Sequence, residues 1–252
     1  GDAEVDQRVK EANERADQGL GVRQPDPPSR RRGVNRYVWD LRYPGATVFE
    51  GLVVWGARPD RGPLAVPGDY QVRVTALGQA KTVPYVARID PRLTGVTRDD
   101  LQAQYDLAVQ VRDRTSDAHE AVIRIRDLKA QMAARVPQAK SPVIGLAADA
   151  TSRALSEVEA ELYQVRNRSR QDPLNFPIKI NNRLAALRRS VETGDARPTD
   201  AARAVFAELT AELDALLERL KAVEANQVAA FNRLLTNGGM TPVEPAPAPP
   251  RP

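Results

Sequence analysis

The sequence offers few side chains for nucleophilic, acid–base or metal chemistry. Its 252 residues include no cysteine and one histidine, His119. The lack of cysteine excludes thiolate zinc centres, iron–sulfur clusters and a cysteine nucleophile, and a single histidine argues against histidine-based catalysis. Because His119 lies in a charged run beside Asp117 and Glu120, we interpret it as a solvated side chain. We predict no metal ion and no cofactor.

Carboxylates are the remaining candidates, because glycoside cleavage uses two of them on either side of one sugar bond. Asp40, Glu50, Asp60 and Asp69 all fall near predicted strands. Turns and strand edges collect Asp routinely, so we assign these side chains structural roles. No glycine-rich phosphate loop follows a strand. We therefore predict that the chain has no catalytic residues and is not an enzyme.

Six aromatic residues near the predicted strands form a second candidate set: Trp39, Tyr43, Phe49, Trp55, Tyr70 and Tyr85. Such residues could stack on sugar rings in a carbohydrate-binding module. At alternating strand positions, however, aromatic side chains more often form the core of a β-sandwich. The core interpretation is favoured, and the carbohydrate-binding alternative stays open.

The charge pattern argues against nucleic-acid binding. The net charge is +4, and positive and negative residues are interleaved along the whole chain. One basic cluster stands out, formed by Arg30, Arg31 and Arg32. Polybasic lipid sites usually need about 4–8 such residues, so a solvated linker is favoured over weak contact with a membrane surface. No apolar run approaches the ~20 residues of a transmembrane helix.

The chain divides into four parts, the outer two of which are predicted arms. Residues 1–32 are an N-terminal arm and proline-rich linker, in which Val5, Val9 and Leu20 belong to a thin apolar helix face. Residues 241–252 are a proline-rich tail. Neither arm has enough apolar surface to offset its ordering entropy alone, so both are predicted to bind partners.

Residues 33–92 are predicted to be strands. Tyr37, Trp39, Leu41 and Tyr43 alternate with polar residues, the apolar run at 48–55 predicts a second strand with a bulge near Gly51, and residues 70–89 predict a hairpin. These strands make a small β-sandwich. It is too small to be stable alone, so we expect it to pack on another element.

Residues 97–240 are predicted to be helical because proline and glycine are sparse and apolar residues recur at helical spacing. The predicted helices cover residues 97–136, 146–168, 180–191 and 199–237. Two long rods with a shorter pair between them can close as an antiparallel bundle. The predicted fold class is α+β, with a small immunoglobulin-like β-sandwich followed by a long antiparallel helical bundle.

Three sequence motifs carry a family resemblance. Residues 33–44, GVNRYVWDLRYP, resemble the segment after the β-propeller in bacterial sortilin-like, BNR-repeat proteins, which are often described as glycosyl hydrolases or exo-sialidases. Residues 62–74, GPLAVPGDYQVRV, look like that region's immunoglobulin-like domain, also found in flagellar hook-capping proteins. Residues 173–184, PLNFPIKINNRL, look like its C-terminal helical region. The resemblance covers residues 33–240.

The resemblance implies an exported, periplasmic or envelope-associated protein; a cytoplasmic location is the alternative. The family's propeller, where glycosidase chemistry would lie, has no counterpart in this sequence. One blade needs about 40–50 residues, and residues 1–32 cannot supply it. Because the sequence begins with Gly1 rather than Met, we expect a processed or trimmed product.

These observations predict a non-enzymatic structural or interaction protein, an accessory stabilising subunit of a larger envelope or membrane-associated assembly. Its partners would be other protein subunits. Two alternatives are a C-terminal fragment of a propeller-type glycosyl hydrolase without its catalytic domain, and a carbohydrate-binding module. The candidate interaction residues are Val5, Val9, Leu20, Arg30, Arg31, Arg32, Trp39 and Trp55.

Overall fold

The computed structural model describes residues 7, 9–11, 13, 14, 29 and 32–247. Within these residues the protein is a mixed structure, about 55% helical, with two small antiparallel two-stranded sheets. The strands come first in the chain and the long helices follow. This order agrees with the predicted α+β class.

Five α-helices build the second half of the described chain: α1 (Arg98–Ala139), α2 (Pro142–Leu162), α3 (Ile180–Val191), α4 (Asp200–Val223) and α5 (Ala229–Asn237). A 3-10 turn covers Asp172–Leu174, and a π-helical turn, Glu224–Val228, joins α4 to α5. The predicted helix over residues 199–237 is therefore continuous in direction but contains a π-turn.

Helix α1 begins with a capping box. The Thr97 hydroxyl accepts a hydrogen bond from the backbone N–H of Asp100, whose carboxylate accepts from the Thr97 N–H. The Thr97 side chain, together with Arg197, lowers the pKa of Asp100 to about 2. At 42 residues the helix is about 63 Å long.

Two helix boundaries differ from the prediction near prolines. Pro137 lies inside the last turns of α1, not in a loop. Pro142 occupies the first turn of α2, where the missing N–H would have had no helical partner. Helix α2 ends at Leu162, six residues before the predicted end, because Tyr163 is extended.

The helices share one apolar core. Val111, Val122 and Ile125 of α1 are fully buried, as are Leu155 of α2 and Leu184 of α3, each with less than 1% exposure. Helix α4 adds four buried leucines, Leu209, Leu213, Leu216 and Leu220, and α5 adds Phe231 and Leu235. The helical spacing of apolar residues that predicts the helix over residues 199–237 is confirmed at these leucines, whereas Val205 is exposed.

The strands form two separate pairs. Strand β1 (Arg42–Pro44) pairs with β2 (Arg61–Leu64), and β3 (Gly68–Ala76) pairs with β4 (Gln79–Ala87). The predicted hairpin is confirmed as β3–β4. The first predicted strand is shorter than expected, because residues 34–40 lie outside any strand.

The second predicted strand, residues 48–55, is absent. Residues 45–60 instead follow an irregular path over the helices, with Leu52 and Val53 buried. The apolar residues that predicted a strand pack against the helical core without a ladder partner. The predicted bulge near Gly51 is therefore wrong.

The C-terminal tail is not wholly an arm. Val243 is only 1% exposed, and the Asn232 side chain bonds both its N–H and its carbonyl oxygen. Gln131 of α1 does the same for Glu244. The side-chain amides of Asn232 and Gln131 thus bond the backbone of this segment as a neighbouring strand would, and they hold it on α5 and α1. Residues 248–252 lie outside the described residues.

Leu213→Asp should unfold the helical part. Leu213 has no exposed surface, and an unpaired carboxylate buried there costs several kcal/mol, comparable with the stability of a domain. Thermal unfolding followed by circular dichroism tests this. The matched control is Val205→Asp on the exposed side of the same helix, which should change the midpoint little. Equal effects of the two variants would contradict the assigned helix face.

Gly62→Ala should destabilise the β1–β2 contact. A Cβ atom at Gly62 would lie 2.0 Å from the carbonyl oxygen of Tyr43, and this backbone atom cannot rotate away. Overpacking of this kind costs about 1–3 kcal/mol. The control is Gly145→Ala in α2, where the nearest atom would be 4.0 Å away and alanine favours the helix. Urea unfolding should separate the two variants; an unchanged midpoint for Gly62→Ala would contradict the close approach.

Candidate functional site: the apolar face of the β3–β4 hairpin

The β3–β4 hairpin closes with a two-residue turn. Leu77 and Gly78 both have positive φ angles, 51° and 75°, as a type I′ turn requires. The register pairs Tyr70 with Tyr85 and Val72 with Val83. Since side chains alternate between faces along a strand, these four residues share one face of the hairpin.

This face, defined by Tyr70, Val72, Val74, Val83 and Tyr85, is called the apolar face below. Val72 and Val83 are each 41% exposed, Val74 is 59% exposed and Tyr85 is 39% exposed. No second sheet layer covers it within the described residues. The opposite face carries Asp69, Gln71, Arg73 and Thr75 of β3. Strand β3 is thus amphipathic, whereas β4 adds Lys81 beside Val74 on the apolar face and Val86 beside Asp69 on the opposite face.

Trp39 covers one end of the apolar face. Its indole ring meets Tyr70 and Tyr85 edge-on, with centroid distances of 5.8 and 6.1 Å. The indole N–H donates to the carbonyl oxygen of Arg42, 3.0 Å away. The half-buried Trp39 therefore ties the hairpin to strand β1, and it leaves Val72, Val74 and Val83 uncovered.

The base of the hairpin is fixed to helix α1. Tyr70 donates through its hydroxyl to the carbonyl oxygen of Val66 at 2.5 Å, and Arg98 of α1 donates to the carbonyl oxygen of Pro67 at 3.0 Å. Tyr43 and Tyr105 pack with their ring centroids 5.3 Å apart. Loss of water on burial raises the pKa of Tyr70. The tip of the hairpin has no such anchors among the described residues.

Helix side chains hold the irregular segment that precedes the hairpin. His119 Nδ1 lies 2.5 Å from the carbonyl oxygen of Thr47, and Asn181 Nδ2 lies 3.1 Å from His119 Nε2. A carbonyl can only accept, so Nδ1 carries the proton, and Nε2 accepts from the Asn181 amide. The Thr47 N–H donates to Ser116 Oγ at 3.0 Å.

His119 is fully buried, so our interpretation of it as a solvated side chain is wrong. Burial lowers its pKa from 6.5 to about 4, although the bond to Thr47 acts in the opposite direction. The ring is neutral at pH 7 and acts as a structural connector. A signal was present in the sequence, because Thr115 and Val122, four residues before and three after, lie on the same apolar helix face.

Two more helix residues bond the backbone of residues 51–55. Tyr163 donates through its hydroxyl to the carbonyl oxygen of Gly51 at 3.0 Å and accepts from the Val53 N–H at 3.2 Å. Asn182 accepts from the Trp55 N–H at 2.6 Å and donates to the Trp55 carbonyl oxygen at 3.0 Å. These contacts take the place of a strand partner.

A buried ion cluster joins α3 to the β1–β2 pair. Glu192 accepts from Arg188 and, at 3.1 Å, from Arg42 of β1. It also accepts from the N–H of Leu64 in β2 at 2.9 Å. Loss of water lowers the pKa of Arg188, and the charge of Glu192 counters this. Because each charge has a partner, the cluster fixes the strands on the helices.

The predicted interaction residues do not converge on one site. Trp39 lies beside the apolar face, whereas Trp55, which is 45% exposed, lies over α3. Val9 is half-buried in a helical stretch, and Arg32 is exposed. The other four predicted residues, Val5, Leu20, Arg30 and Arg31, lie outside the described residues. Of the four described members of the predicted set, only Trp39 contributes to the apolar face.

Two of the four carboxylates considered for catalysis pair with arginines. Asp40 pairs with Arg61 of β2 at 3.1 Å, and Asp60 pairs with Arg58 at 2.7 Å. Asp69 is exposed on the polar face of the hairpin. Among the residues that the structure describes, no group of three His, Cys, Asp or Glu side chains is placed to hold a metal ion.

Comparisons with protein-family models, curated proteins and solved structures find no match to this chain. The resemblance to the post-propeller region of BNR-repeat proteins therefore stays a prediction. A search of the described helices finds none that combines the length and the apolar character needed to cross a membrane.

The neutral state of His119 predicts a specific pH dependence of stability. Between pH 6.5 and about 4 the unfolded chain binds a proton at this residue and the folded chain does not. The free energy of unfolding should therefore fall as the pH is lowered through this window, by about 3 kcal/mol in total.

Urea unfolding across this pH range, compared with the His119→Gln variant, isolates the effect. His119 is the only histidine, and carboxylate contributions are shared by the two proteins. The stability difference between them should shrink as the pH falls. Parallel curves for wild type and variant would contradict a buried, neutral His119.

Proposed function

We propose that this chain is a non-enzymatic interaction protein, an accessory stabilising subunit of a larger assembly, and that the apolar face of the β3–β4 hairpin is its binding surface. The observation that carries the proposal is the exposure of Val72, Val74, Val83 and Tyr85 on one face of a hairpin. Helix α1 and Trp39 hold the base of this hairpin.

Burial of apolar surface would favour a contact at this face. A two-stranded sheet is marginally stable unless one of its faces packs on another layer. Contiguous apolar surface left exposed on an ordered element is typical of protein–protein contacts. A partner that covers the apolar face would remove aromatic and valine surface from water, at about 25 cal/mol per Å². Since the base is already anchored, little ordering entropy opposes this contact.

The immunoglobulin-like sandwich and the antiparallel helical bundle are part of the same proposal. In an immunoglobulin-like sandwich, two sheets pack with their apolar faces together. The β3–β4 hairpin supplies one such face, and we propose that partner residues supply the facing layer. The helices, with their shared core, would form the antiparallel bundle that carries the hairpin.

The non-enzymatic part rests on the residues found at the candidate positions. Both ring nitrogens of His119 make structural hydrogen bonds, to Thr47 and Asn181. Asp40 and Asp60 are paired with arginines. The location in an envelope or membrane-associated assembly rests on the family resemblance alone. If the chain is instead the accessory end of a propeller hydrolase, the apolar face would bind the rest of that protein.

Polar substitution of the apolar face tests the proposal. Val72→Thr/Val83→Thr keeps the β-branched shape but replaces two methyl groups with hydroxyls that lose water on binding. Because the two side chains lie opposite each other, the hydroxyls can satisfy only part of their hydrogen bonding between themselves. The remaining loss should cost about 1–3 kcal/mol. Co-purification of the tagged chain with its native assembly, quantified by mass spectrometry, should fall at least about tenfold.

The matched control is Val86→Thr, on the opposite face of β4, where Val86 is 50% exposed. This variant should co-purify like wild type. If the double variant and the control retain the same partners in equal amounts, the apolar face is not the binding surface and the proposal fails.

A carbohydrate-binding module is the second candidate. It is favoured by two aromatic rings with exposed surface, Tyr37 at 61% and Trp55 at 45%, because such rings stack on sugars. Glycan-array binding that is lost in Trp55→Ala but kept in Val72→Thr/Val83→Thr would favour this function over the interaction surface.

A further inference from the structure

The hairpin has two open edges, and only one can accept another strand. Across a two-residue turn the flanking residues Ala76 and Gln79 form a hydrogen-bonded pair, and such pairs alternate along the ladder. Asp69, Gln71 and Arg73 of β3 therefore direct their backbone N–H and C=O groups outward. All three residues are exposed.

The edge of β4 is blocked by proline. Pro84 pairs with Gln71 at a position that does not hydrogen bond within the hairpin, so its backbone nitrogen faces outward. Proline has no N–H to donate, and an outward-facing proline disfavours strand addition at that edge. Strand β3 contains no proline. Its edge is the competent one.

The charges on the β3 edge are self-complementary. Asp69 and Arg73 lie two residues on either side of Gln71, on the polar face of the hairpin. Neither side chain has a hydrogen-bond or ion-pair partner among the described residues, although most charged side chains of the strands and helices are paired. An antiparallel copy of the same strand would place each charge opposite its complement.

We propose that a second copy of this chain adds to the β3 edge, antiparallel and with Gln71 opposite Gln71 on a two-fold axis. This inference rests on the proposed function, because the resulting four-stranded sheet would present two apolar faces side by side to the partner. Asp69 of each chain then lies opposite Arg73 of the other. One Asp69–Arg73 charge pair lies on each side of the two-fold axis, which makes two pairs in total. On each side, the outward-facing N–H and C=O groups of these two residues can also hydrogen bond across the interface.

The charges select this register over its neighbour. If Val72 instead lay on the two-fold axis, Asp69 would face Thr75 and Arg73 would face Gln71, so neither charge would be compensated. In the proposed register the apolar face also gains contacts, because Tyr70 of one copy lies opposite Val72 of the other. The charge pairs and the apolar contacts therefore both favour the register with Gln71 opposite Gln71.

Charge reversal is the direct test, read as the dimerisation constant of the full chain by sedimentation velocity. Asp69→Arg and Arg73→Asp should each weaken self-association at least about tenfold, because every new cross-strand pair is like-charged. An equimolar mixture of the two variants should recover a heterodimer, since each strand then faces opposite charges. The double variant Asp69→Arg/Arg73→Asp should dimerise like wild type.

A backbone test separates edge pairing from general charge effects. Gln71→Pro removes an outward N–H at the two-fold axis, and its matched control, Thr82→Pro, removes one from the β4 edge. The proposal expects loss of the dimer with the first variant only. Circular dichroism confirms that the helices are intact in both.

Four results would overturn the proposal: a wild-type chain that is monomeric at every concentration, a dimer indifferent to both charge reversals, a variant mixture that stays monomeric, or a dimer that survives Gln71→Pro. These results do not decide the proposed function. A monomer whose co-purification still depends on Val72 and Val83 leaves the proposed function standing without the dimer. A dimer with the predicted charge dependence, whose Val72→Thr/Val83→Thr form retains all partners, leaves the dimer standing without the proposed function.

Discussion

The structure depends on one constraint: the backbone of an irregular segment, residues 45–60, runs over the helices without a ladder, so its polar groups need partners from side chains. His119, Tyr163 and Asn182 supply these partners from three different parts of the helical region. Buried backbone groups without partners would cost more than the apolar contacts gain. The neutral histidine is the most deeply buried of the three, with no exposed surface.

This arrangement leaves the apolar face of the hairpin without a covering sheet in the part of the chain that the structure describes. The irregular segment and the Arg42–Glu192–Arg188 cluster fix β1 and β2 on the helices, and Trp39 and Arg98 fix the base of the hairpin. None of these contacts reaches the middle of the apolar face. The anchored hairpin thus exposes valine and tyrosine side chains that do not pack in the helical core. The proposed function rests on this exposed apolar surface.

Local patterns in the sequence predict much of the fold and little of the site. The hairpin, the capping box at Thr97 and the leucines of α4 follow from short-range spacing. The path of residues 47–55 does not, because its partners lie 72 to 127 positions away in the chain. The charged neighbours of His119 in the sequence lie on other sides of the helix, so they do not indicate that His119 is buried. The composition of the tail does not predict that the side-chain amides of Asn232 and Gln131 bond the backbone of Val243 and Glu244.

Hydrogen–deuterium exchange of the full chain, with and without its native assembly, reports on both the irregular segment and the hairpin. We expect residues 46–58 to exchange slowly in both states, like the core of α1, and we expect assembly to slow exchange in residues 70–86. Fast exchange of residues 46–58 in the free chain, or an assembly footprint that leaves the hairpin unchanged, would contradict these expectations.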